Sequence, residues 1–171
     1  MKIVGLLGFV ALTVTALAVG FRLLWLASRT RQLPELMIGG AFIFAGGVPG
    51  VLIVLADTGV RSAGPRAGLL AAASASLFLG ASMLSFFTWR VFRPADRWSG
   101  GLFAALVAGL AVGHLGNARA ALGPSAAFSP GLTWTGVLFR IAAYTWAVGE
   151  SAREYLAARR RCALGSRIRW G

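Results

Sequence analysis

The sequence predicts an all-α protein, a polytopic transmembrane helical bundle with about five spanning helices. Three observations carry that expectation. Hydrophobic residues make up 57% of the 171-residue chain and charged residues only 13%, against about 25% charged in an ordinary soluble domain. The apolar residues gather into five runs of about twenty, the length that crosses a hydrocarbon core. The arginines lie mostly between those runs rather than along one continuous face. This composition excludes a disordered chain and a disulfide scaffold, and it argues against a soluble enzyme, whose interior at this size could not hide so much apolar surface.

The first run extends from about Ile3 to Leu26. Met1 to Gly20 also has the form of a signal peptide, with Lys2, an apolar stretch and Ala16-Leu17-Ala18 as a small-x-small site. The apolar run continues through Phe21-Arg22-Leu23-Leu24-Trp25-Leu26, which favours an uncleaved helix. The second run, about Glu35 to Ala56, follows Leu33-Pro34 and ends at Asp57. The turn-rich segment Asp57 to Arg66 separates it from the third, about Ala67 to Trp89. Arg90 to Arg97, containing Pro94, interrupts before the fourth, about Trp98 to Ala118. The segment Leu122 to Thr133, with Pro124 and Pro130, is polar enough for a loop. The fifth run, about Trp134 to Ser151, continues as a helix to Arg161. Residues 1–161 thus form one transmembrane domain, and residues 162–171 a short basic tail.

Lysine and arginine total 17 against 5 acidic residues, a formal charge of +12. Cytoplasmic connections of membrane proteins carry the excess of basic residues. Arg29, Arg31, Arg90, Arg93, Arg97, Arg153, Arg159, Arg160, Arg161, Arg167 and Arg169 fall on one side. Lys2, Arg61, Arg66 and Arg119 fall on the other. The C-terminus is therefore expected in the cytoplasm and, with five spans, the N-terminus outside. The expected location is the bacterial inner membrane. Trp25, Trp89 and Trp98 would lie at the inner boundary and Trp134 at the outer one, as an aromatic belt requires. The Arg159-Arg160-Arg161 run, with Arg167 and Arg169, would meet anionic lipid headgroups. Nucleic acid is not expected as a partner, since phosphate binding needs a continuous basic face.

Helix–helix contact in a membrane depends on small residues that let backbones approach. Gly101, Ala105, Gly109 and Gly113, four apart and followed by Asn117, form a stripe on the fourth run. Ala73, Ser76, Gly80, Ala81 and Ser85 supply small residues on the third. In the second, Gly46-Gly47-Val48-Pro49-Gly50 predicts a kink, because Pro49 removes a backbone donor and crowds the turn before it. That break either serves packing alone or lines a cavity or hinge. The small faces serve packing within the bundle or contact with a second subunit.

Polar groups inside a bilayer are costly and mark candidate sites. Arg140 lies about 10 Å into the fifth run, at 1.5 Å per residue. Tyr144 follows one turn later. His114 and Asn117 reach a similar depth on the fourth run, and Asp57 closes the second on the same side. These five residues are expected to form an outer polar cluster, with Asp57 as the ion-pair partner of Arg140. The alternatives are snorkelling of Arg140 to the headgroups and a ligand or ion site. A second cluster is expected towards the cytoplasm from Arg22, Glu35, Glu150, Arg153 and Glu154, with Arg22 pairing Glu150. It is either structural or, through Glu150, part of a proton relay.

The catalytic classes thin out quickly. There is one histidine and one cysteine, Cys162, so an internal disulfide and a CxxC zinc site are excluded. Bis-histidine haem ligation is excluded too. His114 with Met83 remains a haem pair on paper, but no cofactor or metal is expected. HExxH, P-loop and GxSxG patterns are absent. No lysine lies within an apolar run, which excludes a retinal Schiff base.

The stretch Phe21 to Leu36, FRLLWLASRTRQLPEL, resembles the first cytoplasmic connection of a group of uncharacterised bacterial seven-helix membrane proteins. Glu150-Ser151-Ala152-Arg153-Glu154-Tyr155 through Arg159-Arg160-Arg161 is similar to the end of their fifth helix. The resemblance covers about a fifth of the chain. It implies a helical membrane bundle that would continue into two further helices after about Gly165, where this chain ends. The chain would then be a short variant or need a partner to close its bundle. The group implies no activity.

The functional expectation is a non-catalytic accessory, assembly or sensory subunit acting through helix packing, with a protein partner or a second copy. A small transporter or channel built around Arg140 and His114 is the alternative. A lipid-modifying enzyme using His114 and Asn117 is a weaker third.

Overall fold

A computed structural model describes residues 2–60, 62–122 and 130–168. Among the described residues the chain is all helical, with no strand. Helix α1 spans Lys2–Thr30, α2 Leu33–Phe42, α3 Val48–Thr58, α4 Ala63–Phe92, α5 Arg97–Leu122 and α6 Pro130–Ile168. A π-helical turn, Ile43–Gly47, joins α2 to α3. Four stretches are long and apolar enough to cross a membrane: Leu7–Thr30, Leu33–Thr58, Ala63–Phe92 and Arg97–Arg119. The fifth expected span lies within α6, whose apolar part is interrupted by Arg140.

Local chemistry explains the boundaries. Arg31 adopts a left-handed conformation, φ 55°, and its N–H bonds the Ala27 carbonyl at 2.8 Å, which closes α1. Pro34 then sits in the first turn of α2, where its missing N–H has no intrahelical role. Arg93 precedes Pro94 and leaves helical geometry, φ −139° and ψ 47°, so α4 stops at Phe92. Ser99 closes the following turn by donating to the carbonyls of Arg93, at 2.9 Å, and Asp96, at 2.6 Å. Helix α6 is longer than expected. Its backbone stays helical to Ile168, through most of the segment read as a tail. The expected loop around Pro124 lies outside the described residues, as do Arg61 and Arg169, and the side chains of Lys2, Cys162 and Arg167.

The kink expected at Pro49 takes the form of the π turn just before it. The Val48 N–H reaches back five residues to the Ile43 carbonyl. Pro49 has no N–H to offer the next carbonyl in that register, that of Phe44. The Ser76 hydroxyl of α4 donates to the Phe44 oxygen at 2.8 Å instead. A serine on one helix thus satisfies the carbonyl that a proline on another has orphaned.

Helix α4 is central and packs against α2, the π turn, α3, α5 and α6. Helix α1 packs only against α2, the π turn and α3, and meets neither α5 nor α6 among the described residues. Helix α1 runs antiparallel to the α2–α3 segment: Thr13, Ala16 and Leu17 face Gly50, Gly46 and Gly47 in turn. The interior is built from small residues, as expected for Ala73, Ser76, Gly80, Ala81 and Ser85, all of which are buried. The largest fully buried side chains are Thr88, Ser85 and Ser99. Leu12, Phe21 and Val148 are all more than 60% exposed. This arrangement reverses that of a soluble core. It suits a lipid environment, where close backbone packing rather than burial of large apolar groups holds helices together. Gly80 shows how close: a Cβ there would lie 2.7 Å from that of Ala45.

Candidate functional site

The polar residues expected near one end of the bundle do converge, though not all of them. Helix α4 contributes Ser74, α5 contributes His114 and Asn117, and α6 contributes Arg140 to the wall of one cavity of about 10 Å³. Leu77, Phe78, Leu110, Gly113 and Gly136 complete the lining. His114 Nδ1 lies 3.1 Å from the Ser74 hydroxyl, and the imidazole stacks on Phe78 with ring centroids 5.9 Å apart. Arg140 donates through Nε to the Gly136 carbonyl one turn back, at 3.1 Å. Beside the cavity α5 and α6 nearly touch. Gly113 and Gly136 are both buried, and a Cβ on Gly136 would stand 3.0 Å from Gly113 Cα.

Two expected members are elsewhere. Asp57 does not reach Arg140. It bonds Arg66 at 3.0 Å, an ion pair more than half exposed on both sides, across the turn between α3 and α4. Asp57 ends one helix and Arg66 begins the next, so the short turn brings them together. Tyr144 lines a different hollow, a largely apolar groove between α1 and α6 whose floor includes Ala16, Ala41, Ala45 and Gly46.

At the opposite end, the cluster expected from Arg22, Glu35 and Glu150 does not form. Arg22 is exposed. Glu35 accepts a hydrogen bond from the Thr30 hydroxyl across the α1–α2 turn. Glu150 is 8% exposed and pairs with Arg93 at 3.2 Å. Arg93 also holds Asp96 at 2.9 Å and lies over the Trp98 ring, its guanidinium carbon 5.5 Å from the centroid. The Glu150 hydrogen bond, and after it that to Asp96, hold the Arg93 guanidinium above its ordinary pKa. In the sequence Arg93 stood out as a topology marker and Asp96 only as part of a helix break, and their i,i+3 spacing around Pro94 was the available signal for the pair. Arg153 and Glu154 flank a shallow cleft beside this pair. Glu154 makes a long exposed contact with Arg161, 3.8 Å, of a kind that contributes little.

The four-spaced stripe on α5 divides. Gly109 and Gly113 are buried against Phe139 and Gly136 of α6, and the half-buried Gly116 meets Leu132. Gly101 and Ala105 are exposed, and a Cβ on Gly101 would meet nothing within 4 Å. A strict four-residue repeat drifts around a helix of 3.6 residues per turn, so its first members leave the interface its last members build. Met83 packs at Gly40, away from His114, so the two do not form a ligand pair.

No family model, curated protein or solved structure matches this chain. Among the described residues no group of three or more His, Cys, Asp or Glu is placed to hold a metal ion. What the sites can do therefore follows from their geometry. The Arg93–Glu150 pair ties α6 to the turn between α4 and α5. The Arg140 cavity gathers hydrogen-bond donors and a positive charge.

Proposed function

We propose that this chain is a non-catalytic subunit of a bacterial inner membrane, acting through helix packing in an accessory, assembly or sensory role. In this reading the apolar half of α6 is the fifth span, the N-terminus is outside and the C-terminus cytoplasmic. Arg29, Arg31, Arg90, Arg93, Arg97 and Arg153 lie at one end of the antiparallel bundle, which supports placing that end in the cytoplasm against anionic headgroups.

The observation that carries the reading is the open seam between α1 and α6. Among the described residues helix α1 packs only against the α2–α3 segment, and the groove beside it, about 370 Å³, is floored by alanines and a glycine. Small residues of this kind let another transmembrane helix approach closely, so the seam suits a helix of a partner subunit. The test is gentle solubilisation through a C-terminal tag, followed by intact mass measurement. A stoichiometric partner that is lost in Leu12→Trp and Phe42→Trp variants is the expected result. A lone monomer indifferent to both substitutions would overturn the reading.

A second reading, a small transporter or channel, is favoured by one observation, the convergence of Ser74, His114, Asn117 and Arg140. It requires that an Arg140→Gln variant assemble normally and lose flux in reconstituted vesicles.

A further inference from the structure

The chain contains five acidic residues, and the structure places all of them away from Arg140. Asp57 bonds Arg66, Asp96 and Glu150 bond Arg93, and Glu154 contacts Arg161. Glu35 takes its hydrogen bond from Thr30. None lines the Arg140 cavity. No acidic side chain is placed to neutralise this half-buried guanidinium. A charge in such surroundings is expensive unless paired.

The cavity is equipped for an anion. Arg140 Nε is engaged by Gly136, which leaves four guanidinium N–H donors. The Asn117 amide adds two more donors. If the Ser74 hydroxyl donates to His114 Nδ1, the histidine carries its proton on Nε2 and becomes a further donor. The volume, about 10 Å³, is close to what one water-sized particle occupies. That leaves room for one small atom at most, so the site would meet a halide, or one oxygen of a phosphodiester, at its mouth.

We infer that Ser74, His114, Asn117 and Arg140 form a binding site for one singly charged anionic atom, either a free halide or a lipid headgroup oxygen. The site does not depend on the subunit role proposed above. The Arg140 side chain folds back along α6 towards the near end of the bundle, as its bond to Gly136 shows. That places its positive charge where either source can approach.

The experiment uses the full-length protein, delipidated in a neutral detergent with gluconate as the only anion. Thermal unfolding is followed while bromide replaces gluconate at constant ionic strength. A parallel arm adds phosphatidylglycerol in gluconate. Saturable stabilisation by either supports the site: bromide alone identifies a free ion, and lipid alone a headgroup. Arg140→Gln is expected to weaken the apparent affinity about tenfold or more, as loss of a charge-assisted contact does. The exposed Arg66→Gln leaves it unchanged. If Arg140→Gln does not fold, Asn117→Leu replaces it and is expected to weaken binding in the same direction. No saturable response to either anion, or an undiminished response in the variant, overturns the inference.

Discussion

The Ser76 hydroxyl and the Phe44 carbonyl, 32 residues apart, meet at 2.8 Å. Their hydrogen bond fastens α4 to the π turn at the point where Pro49 cannot supply a donor. Ser76 is 4% exposed, so water has little access to replace it. Ser76→Ala is expected to cost about 1–3 kcal/mol, the penalty for a buried acceptor left unpaired. Pro49→Ala restores an N–H to the segment, so the same serine substitution should cost less in that background. A double-mutant cycle in detergent unfolding measures the coupling, and strict additivity would sink the explanation.

Gly113 and Gly136 set the spacing of α5 and α6. Gly136→Leu has to separate two backbones, and is expected to destabilise the fold by about 1–3 kcal/mol or more. Gly101→Leu, on the same sequence stripe but open to its surroundings, should change stability by less than about 0.5 kcal/mol. Equal effects would mean that the stripe acts as one face after all.

Glu150 is buried and answers to Arg93 rather than to Arg22. Arg93→Ala strands the Glu150 carboxylate and should lower the yield of folded protein. The double variant Arg93→Ala with Glu150→Ala removes the stranded charge and should recover part of that loss. Arg93→Lys should recover less than full stability, because one ammonium cannot reproduce a fork that bonds Glu150 and Asp96 at once. Arg22→Ala serves as the comparison and should be silent. Thermal melting of purified protein ranks the four.

Orientation is testable with single cysteines on a Cys162→Ser background. Ser62 and Ala95 are both exposed and lie in turns at opposite ends of the bundle. In intact cells, a membrane-impermeant maleimide should label Ser62→Cys, and should label Ala95→Cys only after lysis. The reverse pattern would invert the topology and place the arginine-rich end outside.

Much of the architecture was legible before any coordinates. The apolar runs, the break at Pro49, the stop before Pro94 and the burial of Ala73, Ser76, Gly80, Ala81 and Ser85 depend on quantities local to the chain. These are composition, helical period, and the backbone's need for donors and acceptors. The convergence of His114, Asn117 and Arg140 was also within reach, because depth along an antiparallel helix follows from counting residues.

The choice of partners was not. Depth brought Asp57 near the level of Arg140 and Arg22 near that of Glu150, but neither pair forms. Each residue turns a helix by about 100°, and sequence alone does not say which way a helix faces its neighbours. Tertiary packing decides that, through contacts such as Gly80 against Ala45 and Gly113 against Gly136. Once those backbones close, Tyr144 is turned towards α1, Gly101 is left exposed, and Arg93 is brought to Glu150. The sequence by itself determined a helical protein of long apolar runs, expected to be five, and the structure shows four helical stretches long and apolar enough to cross a membrane. The rotation of each helix, and with it the membership of every polar site, belonged to the tertiary structure.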